Sequence, residues 1–206
     1  VIHHLYEDNQ VEIPDIISEC EKAGNPNLVY EFASTSKVSF PGSGIAAMAA
    51  SAENLADVKK QMTIQTIGYD KLNQLRHVAY FKNIDGLKAH MKKHADAMRP
   101  KFEAVLKVLD EELTGAEIGS WVKPLGGYFI SFDAMEGCAK KIVAKCKEAG
   151  VTLTNAGATF PYGKDPKDSN IRIAPSFPTP EEMAVATDLF VLCVKLVSVE
   201  KLLENK

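Results

Sequence analysis

The stretch STSKVSFPGSG, residues 34–44, places Lys37 after three hydroxyl residues and before a Pro-Gly turn. A strand-like run, residues 28–32, leads into this stretch. A lysine held in a partly desolvated pocket has a lowered amine pKa, and its neutral amine is a nucleophile toward aldehydes and a proton carrier. Most loop lysines, however, are solvated surface side chains. The residues alone therefore leave both interpretations of Lys37 open.

Helix and strand signals alternate on both sides of this loop, which is typical of the α/β class. Upstream, Pro14 begins an amphipathic stretch, and Ile16, Ile17 and Cys20 predict its buried face. Downstream, residues 45–50 form a second strand-like run of small and apolar residues. The lysine loop is therefore predicted to connect two strands.

These two strands, residues 28–32 and 45–50, are almost entirely apolar or small. That pattern is typical of strands covered on both faces within a larger sheet. Two strands cannot form such a sheet by themselves. We therefore expect the remaining strands to come from residues that are not in this chain.

Helices dominate the middle of the chain. Ser51 predicts a helix N-cap, with Glu53 in the first turn. Residues 69–113 are rich in helix-forming residues, and we expect a break or kink near residues 83–86 and another at Pro100. A helical connector of this length suggests a boundary between two domains.

The last part of the chain predicts a compact α/β unit. Its expected strands are residues 119–122, 127–132, 151–154 and 170–174. Between the second and third of these, we expect a helix capped by Asp133 and stopped by Gly150. A final helix is predicted to start at residues 179–182, TPEE, because Thr suits the N-cap, Pro the first helical position and Glu the third.

Composition excludes several classes of protein. The chain has 206 residues, a formal net charge of −3 and 46% hydrophobic residues. The acidic balance argues against a nucleic-acid-binding protein, which would present a basic face. No apolar stretch reaches the roughly 18 residues that a membrane helix needs, and no basic leader precedes an apolar core. We therefore expect a cytoplasmic protein with no nucleic-acid or membrane partner.

The cysteines indicate a reducing environment. Cys20, Cys138, Cys146 and Cys193 have no CxxC spacing. Buried, reduced thiols are therefore expected rather than disulfides or a zinc site, and no metal site is predicted.

Arg172 is the second residue of chemical interest, because it lies between two isoleucines in a predicted strand. An arginine in this setting is either an edge residue that points to solvent or a planar fork held for a carboxylate. The local sequence does not decide between these two roles.

Three motifs, in this order, resemble the class I/II aminotransferases, which are fold-type I pyridoxal-phosphate enzymes. The Ser-x-Ser-Lys sequence ending at Lys37, followed by Pro-Gly, resembles their Schiff-base lysine motif. Residues 126–129 are similar to the glycine-and-aromatic strand of their small domain, and residues 170–174 resemble the segment whose Arg binds the substrate α-carboxylate. The stretches similar to the type Ic aspartate-aminotransferase-like subgroup are residues 64–68, 73–77 and 156–166.

The resemblance implies a fold and a domain division. It identifies the chain as the C-terminal part of the fold-type I architecture, with an incomplete large-domain sheet and a small C-terminal α/β domain. Residues 1–85 would be the C-terminal part of the cofactor-binding large domain. Residues 86–206 would comprise the long connecting helix and the small domain.

The resemblance also implies a site and a reaction. Lys37 would be the catalytic residue and hold pyridoxal 5'-phosphate as a Schiff base, with Ser34 and Ser36 as further cofactor-binding residues. Arg172 would bind the substrate. The implied reaction moves the amino group of an aspartate-like amino acid to a 2-oxo acid in amino-acid biosynthetic metabolism, and the whole protein would be a homodimer.

The chain departs from the family pattern in two respects. Gly44 stands where the family normally has an Arg that pairs with the cofactor phosphate. The family's phosphate loop, ring-stacking aromatic, and the Asn and Asp near the cofactor ring all precede the position of Val1. We therefore expect the 206 residues alone to be an inactive fragment. An alternative, suggested by the same resemblance, is the effector domain of a transcriptional regulator that senses pyridoxal phosphate.

Overall fold

The computed structural model describes residues 4–6 and 12–204. These residues form a mixed α/β fold that divides into two compact units, Val1–His94 and Ala95–Lys206. The elements, in chain order, are α1 (Ile16–Lys22), β1 (Tyr30–Ser34), β2 (Ala46–Ala50), α2 (Ala52–Gln65), α3 (Lys71–Phe81), α4 (Ile84–Leu113), β3 (Gly119–Trp121), β4 (Ile130–Ala134), α5 (Ala139–Glu148), β5 (Asn170–Ile173) and α6 (Pro180–Glu204). The division falls within α4, and the predicted boundary between residues 85 and 86 stays a prediction.

In the first unit, β1 and β2 form a two-stranded antiparallel sheet, in which Phe32 lies opposite Met48. Both strands were expected near these positions, and their existence is confirmed. In the described residues these apolar side chains are uncovered, since Phe32 is 73% exposed. The expected cover by strands from outside this chain stays a prediction. A two-stranded ribbon has no second layer of its own to cover its apolar side chains.

The first helix also has apolar residues that remain uncovered. Asp15 caps α1, because its side chain accepts a hydrogen bond from the Ile17 backbone N–H. The predicted buried face is wrong: Ile16 is 52% exposed and no residue of the helix is buried. An apolar stripe is buried only where another element packs on it, and the described residues provide no such element here.

The next three helices follow the sequence closely at their ends. Ser51 caps α2 by accepting the Asn54 backbone N–H at 3.2 Å, as predicted. The expected break between α3 and α4 is also confirmed, because Lys82 has a φ of 65° and ends α3. Gly86 is required there, since a Cβ on it would lie 1.9 Å from the Phe81 carbonyl oxygen.

Pro100 does not break α4, which continues through it to Leu113, and a kink at this position stays a prediction. A proline inside a helix removes one backbone hydrogen bond and strains the preceding turn. Met98 and Phe102, which flank Pro100, are both buried. Tertiary packing on either side of the proline offsets this local cost.

The second unit is built on a three-stranded antiparallel sheet in the order β3-β4-β5. Ile130 and Phe132 of β4 and Ile171 of β5 are fully buried on one face. The Phe132 ring meets the Phe190 ring of α6 edge-on, with centroids 5.1 Å apart. The helices of this unit therefore cover one face of the sheet, and the alternate residues, Arg172 among them, lie on the other face.

Two predicted features of the second unit are wrong. Asp133 does not cap α5 but lies within β4, and Cys138 occupies the N-cap with no side-chain cap. Residues 151–154 are not a strand. The Val151 N–H bonds to the Cys146 carbonyl, so this segment begins as the exit from α5 rather than as a sheet partner.

The start of α6 is confirmed as a capping box. The Glu182 side chain accepts the Thr179 N–H at 2.9 Å, and the Glu182 N–H donates to Thr179 Oγ1 at 3.2 Å. None of the helices in the described ranges combines the length and apolar character that crossing a bilayer would require.

All four cysteines are free, as predicted. Three are buried, but Cys20 is only partly covered, so the prediction of burial is wrong for that residue. Burial, reinforced by the neighbouring Cys193 thiol, raises the pKa of the Cys146 thiol from 9.0 to about 12.

The raised pKa of Cys146 predicts a large difference in thiol reactivity. At pH 8 the thiolate fraction of a group with a pKa near 12 is only about one in 10⁴, so Cys146 should resist iodoacetamide in the folded protein while Cys20 reacts. The folded state also binds this proton more tightly than the unfolded state does. Stability should therefore fall as the pH rises above about 9. Mass spectrometry of alkylated peptides, with and without urea, measures the reactivity; equal labelling of both cysteines in the folded state would contradict it.

Candidate active site

The lysine loop lies between β1 and β2, and its ends are joined by backbone hydrogen bonds. The Thr35 N–H donates to the Ile45 carbonyl at 2.8 Å. Within the loop, the N–H groups of Val38 and Ser39 both donate to the Thr35 carbonyl at 2.8 Å. Lys37 is thus held at the middle of a tight, hydrogen-bonded turn.

The two predicted cofactor-binding hydroxyls, those of Ser34 and Ser36, meet beside this turn. Ser34 Oγ and Ser36 Oγ are 2.7 Å apart, and the Ser36 N–H donates to Ser34 Oγ at 3.2 Å. Both serines are exposed, as is Lys37. The described residues therefore bring the predicted cofactor-binding residues of the first unit together on its surface, and desolvation of the lysine amine would have to come from other groups.

Gly44 lies against Ser36 at a distance that excludes a side chain. A Cβ on Gly44 would be 2.8 Å from Ser36 Oγ and 3.0 Å from the Ser36 Cα and N atoms. An arginine at position 44 would have to move this part of the loop. Glycine is therefore required here by close approach of the backbone.

Replacing Gly44 with alanine is expected to destabilise the first unit by about 1–3 kcal/mol, the usual cost of an overpacked site. Gly68→Ala is the matched control, because a Cβ there meets nothing within 4 Å. Adding Ser36→Gly to Gly44→Ala should recover only part of the loss, since the backbone contacts of residue 36 remain. Urea unfolding followed by circular dichroism measures the difference, and equal midpoints for the Gly44 and Gly68 variants would contradict it.

A buried polar cluster lies beneath the lysine turn. His77 of α3 is 5% exposed, and its Nε2 is 2.7 Å from Ser39 Oγ and 3.4 Å from Thr35 Oγ1. Its Nδ1 donates to the Asn73 carbonyl at 2.9 Å. The Asn73 amide in turn donates to the Ser43 carbonyl at 2.9 Å and the Gly44 carbonyl at 3.3 Å. Helix α3 therefore braces both the beginning and the end of the lysine loop.

The sequence did not predict a site role for this cluster or for Arg76, whose guanidinium donates to Ser43 Oγ at 3.4 Å. One signal was available. Asn73, Arg76 and His77 have the i, i+3, i+4 spacing that places side chains on one face of a helix. The spacing does not indicate which other element of the fold this helix face contacts.

Arg172 lies in the middle of β5, opposite Ser131 of β4. Its neighbours Ile171 and Ile173 are buried on the other face of the sheet. The guanidinium carbon lies 4.4 Å from the centroid of the Phe129 ring. Stacking on an aromatic face fixes the plane of the guanidinium, so Arg172 is not a freely moving edge side chain.

The surroundings of Arg172 leave part of its hydrogen-bonding capacity unused. It lines a cavity of about 180 Å³ together with residues 151–154 and Phe190. Its Nε atom is buried and has no hydrogen-bond partner among the described residues. A buried guanidinium nitrogen without an acceptor is costly, and a carboxylate is the group that would satisfy it.

Several known proteins are similar to this chain. The family model described as aspartate amino-transferase matches residues 1–206. A relative in Mycolicibacterium smegmatis is 44% identical over 203 residues, which cover 98% of this chain and 47% of that protein. The aspartate aminotransferase of Corynebacterium glutamicum is 42% identical over 197 residues, which cover 96% of this chain and 46% of that protein. The chain thus spans about half the length of the curated relatives it matches.

Solved structures give the same result. The crystal structure of an aspartate transaminase from Corynebacterium glutamicum is 42% identical, with a TM-score of 0.93 over 97% of this chain and 47% of that one. An alpha-aminoadipate aminotransferase from Thermus thermophilus, complexed with N-(5'-phosphopyridoxyl)-L-leucine, is 21% identical, with a TM-score of 0.76 over 94% of this chain and 48% of that one. The second similarity extends to the fold alone.

Proposed function

The chain belongs to the aspartate aminotransferase family, and from this premise we propose that the whole protein moves the amino group of an aspartate-like amino acid to a 2-oxo acid. The fold, the C-terminal part of the fold-type I architecture, is confirmed by the superpositions. Pyridoxal 5'-phosphate is the proposed cofactor, bound as a Schiff base to Lys37. The observation that carries the proposal is the braced turn that presents Lys37 beside the Ser34 and Ser36 hydroxyls.

The residues of the lysine loop fit a phosphate-bearing cofactor. Hydroxyl and backbone N–H groups donate to phosphate oxygens, and Ser34 and Ser36 lie together at the start of the loop. Gly44 cannot supply the guanidinium that the family usually has at that position. Arg76 brings a guanidinium to the adjacent Ser43, so we assign the missing positive charge to Arg76.

The cofactor would supply an aldehyde that condenses with amines and a ring that withdraws electrons from the adjacent carbon. Lys37 would provide the amine that holds it and would move a proton between substrate and cofactor as general acid and base. Arg172 would bind the substrate α-carboxylate through its two-pronged guanidinium and orient the Cα–H bond. The Lys37 amine is exposed in this chain, so the rest of the protein would have to exclude water from it to favour the neutral, reactive amine.

Activity is proposed for the whole protein, because the chain spans about half of its relatives' length. We infer that the 206 residues alone do not catalyse amino transfer, that the whole protein is a cytoplasmic homodimer, and that it serves amino-acid biosynthesis. The alternative of a regulator's effector domain has no support, since the relatives and structures named above are aminotransferases.

The direct test of the proposal is chemical attachment. Reduction of the whole protein with borohydride in the presence of pyridoxal 5'-phosphate should leave the pyridoxyl group on the peptide that contains Lys37. Transfer from aspartate to 2-oxoglutarate should be measured on the same preparation. Attachment to a different lysine, with turnover intact, would refute the assignment of Lys37.

A further inference from the structure

The polar cluster beneath the lysine loop forms a continuous hydrogen-bonded path. The Asn73 carbonyl can only accept, so the His77 Nδ1, at 2.9 Å, must carry the ring proton. In the neutral imidazole, Nε2 is then a bare acceptor. Ser39 Oγ, at 2.7 Å, can donate its one proton to Nε2 in place of its other acceptors, Thr35 Oγ1 at 2.9 Å and the Thr35 carbonyl at 3.2 Å. The geometry thus assigns one tautomer to His77.

The path continues to the start of β2. The Ser39 and Thr35 hydroxyls are hydrogen-bonded at 2.9 Å, and Thr35 Oγ1 accepts the Ile45 N–H at 2.9 Å. From the other side of His77, the Asn73 side chain donates to the Ser43 carbonyl. The path therefore starts and ends within the segment that closes the lysine loop.

We propose that His77 is a positioning residue, whose neutral Nδ1–H form holds the Lys37 turn in place by accepting from Ser39 and donating to Asn73. Its link to catalysis rests on the proposed role of Lys37. That His77 holds the turn in place does not depend on the role of Lys37, because every contact of the path lies within the first unit. His77 itself need not touch cofactor or substrate.

Lys37 lies between two residues of this turn. The Val38 and Ser39 amides donate to the Thr35 carbonyl, and the Ser39 hydroxyl oxygen lies 2.7 Å from Nε2 of the buried imidazole. Val38 is 7% exposed and Ser39 is 6% exposed. Without the acceptor on His77, the Ser39 hydroxyl can donate only to Thr35 Oγ1 at 2.9 Å or to the Thr35 carbonyl at 3.2 Å. That carbonyl already accepts both amides of the turn, so the added donor competes with them and weakens the turn.

Two substitutions separate the two ring nitrogens. His77→Gln places an amide oxygen near the position of Nε2 and can still accept from Ser39. His77→Asn places an amide N–H near the position of Nδ1 and keeps only the bond to the Asn73 carbonyl. Phe81→Leu is the control for packing, because the Phe81 ring lies 5.9 Å from the His77 ring and forms no hydrogen bond with it.

Amide hydrogen exchange of the whole protein provides the main measurement. Exchange at Val38 and Ser39 should be about tenfold faster in His77→Asn than in the wild type, relative to the Leu55 amide of α2. It should stay within about twofold in His77→Gln and in Phe81→Leu. Equal exchange in all four proteins would overturn the proposal, as would an increase in His77→Gln or Phe81→Leu that matches His77→Asn.

A measurement on the wild type covers the case in which a variant does not fold. Nitrogen-15 NMR of the histidine rings should show the Nδ1–H tautomer for His77 at neutral pH. The Nε2–H tautomer, or a doubly protonated ring, would overturn the proposal.

The link to Lys37 is tested separately, by borohydride trapping of pyridoxal 5'-phosphate. Labelling of Lys37 should be about tenfold slower in His77→Asn but not in His77→Gln. If the wild type is not labelled at Lys37 at all, the proposed function fails, while the exchange data still decide whether His77 holds the turn. Unchanged labelling in His77→Asn, with the wild type labelled, would overturn the positioning role.

Discussion

Amino transfer from aspartate to 2-oxoglutarate is expected to fall by at least about 10³-fold when Lys37 of the whole protein is replaced by alanine. Alanine removes both the amine that would hold the cofactor and the group that would move the proton, and a positioned acid–base group alone contributes about 10²- to 10⁴-fold. The pyridoxyl label on the Lys37 peptide should also disappear. Turnover is measured by coupling the 2-oxo acid product to a dehydrogenase.

Two further variants serve as controls for the Lys37→Ala result. Lys37→Arg keeps the positive charge, but a guanidinium does not deprotonate in proteins and should be as inactive as alanine. Lys59→Ala removes an exposed lysine of α2 in the same unit and should retain full turnover. Turnover of Lys37→Ala within tenfold of the wild type would rule out the proposed mechanism.

The features that sequence predicted well are those fixed by neighbouring residues. Thr179 and Glu182 complete their capping box within three positions, so the start of α6 could be predicted without knowing what α6 packs on. The Ser51 cap is equally local. Arg172 was singled out because a single charged residue interrupts an apolar strand, a pattern visible in the sequence itself.

The features that sequence could not predict depend on distant partners. His77 meets Ser39 across 38 positions, and no periodicity indicates which loop a helix face will cover. The buried face expected for α1 required a second element, and Ile16 remains exposed because the described residues supply none. Pro100 does not break α4 for the same reason, since packing of α4 outweighs a local helix-breaking preference.

In the two-stranded sheet, one feature depends on neighbouring residues and another depends on distant partners. The runs of apolar and small residues located β1 and β2 to within about two positions, because strand preference is local. Their burial depends on a covering layer, and Phe32 stays 73% exposed in this chain. The sequence of β1 and β2 is therefore typical of buried strands, although the described residues do not contain a layer that covers them.

The Arg172 assignment predicts the second large effect on activity. Arg172→Lys keeps a positive charge but loses the planar fork and the stacking on Phe129. Loss of one bidentate contact should raise the KM for the amino acid by about 10- to 100-fold, and Arg172→Ala should raise it further. The kcat should fall less than in Lys37→Ala, because Arg172 orients the substrate rather than exchanging protons with it.

Arg99→Lys is a suitable control in the same unit, because the ion pair of Arg99 is made with Asp96, one turn away on α4. Its kinetic constants should match the wild type. Steady-state kinetics with aspartate, and with an amine that lacks the α-carboxylate, distinguish the two possible roles of Arg172. If the guanidinium binds the α-carboxylate, Arg172→Lys weakens only the binding of aspartate, since the amine never made that contact. An equal loss with both substrates would instead place Arg172 in the support of the β5 strand and remove it from the substrate site.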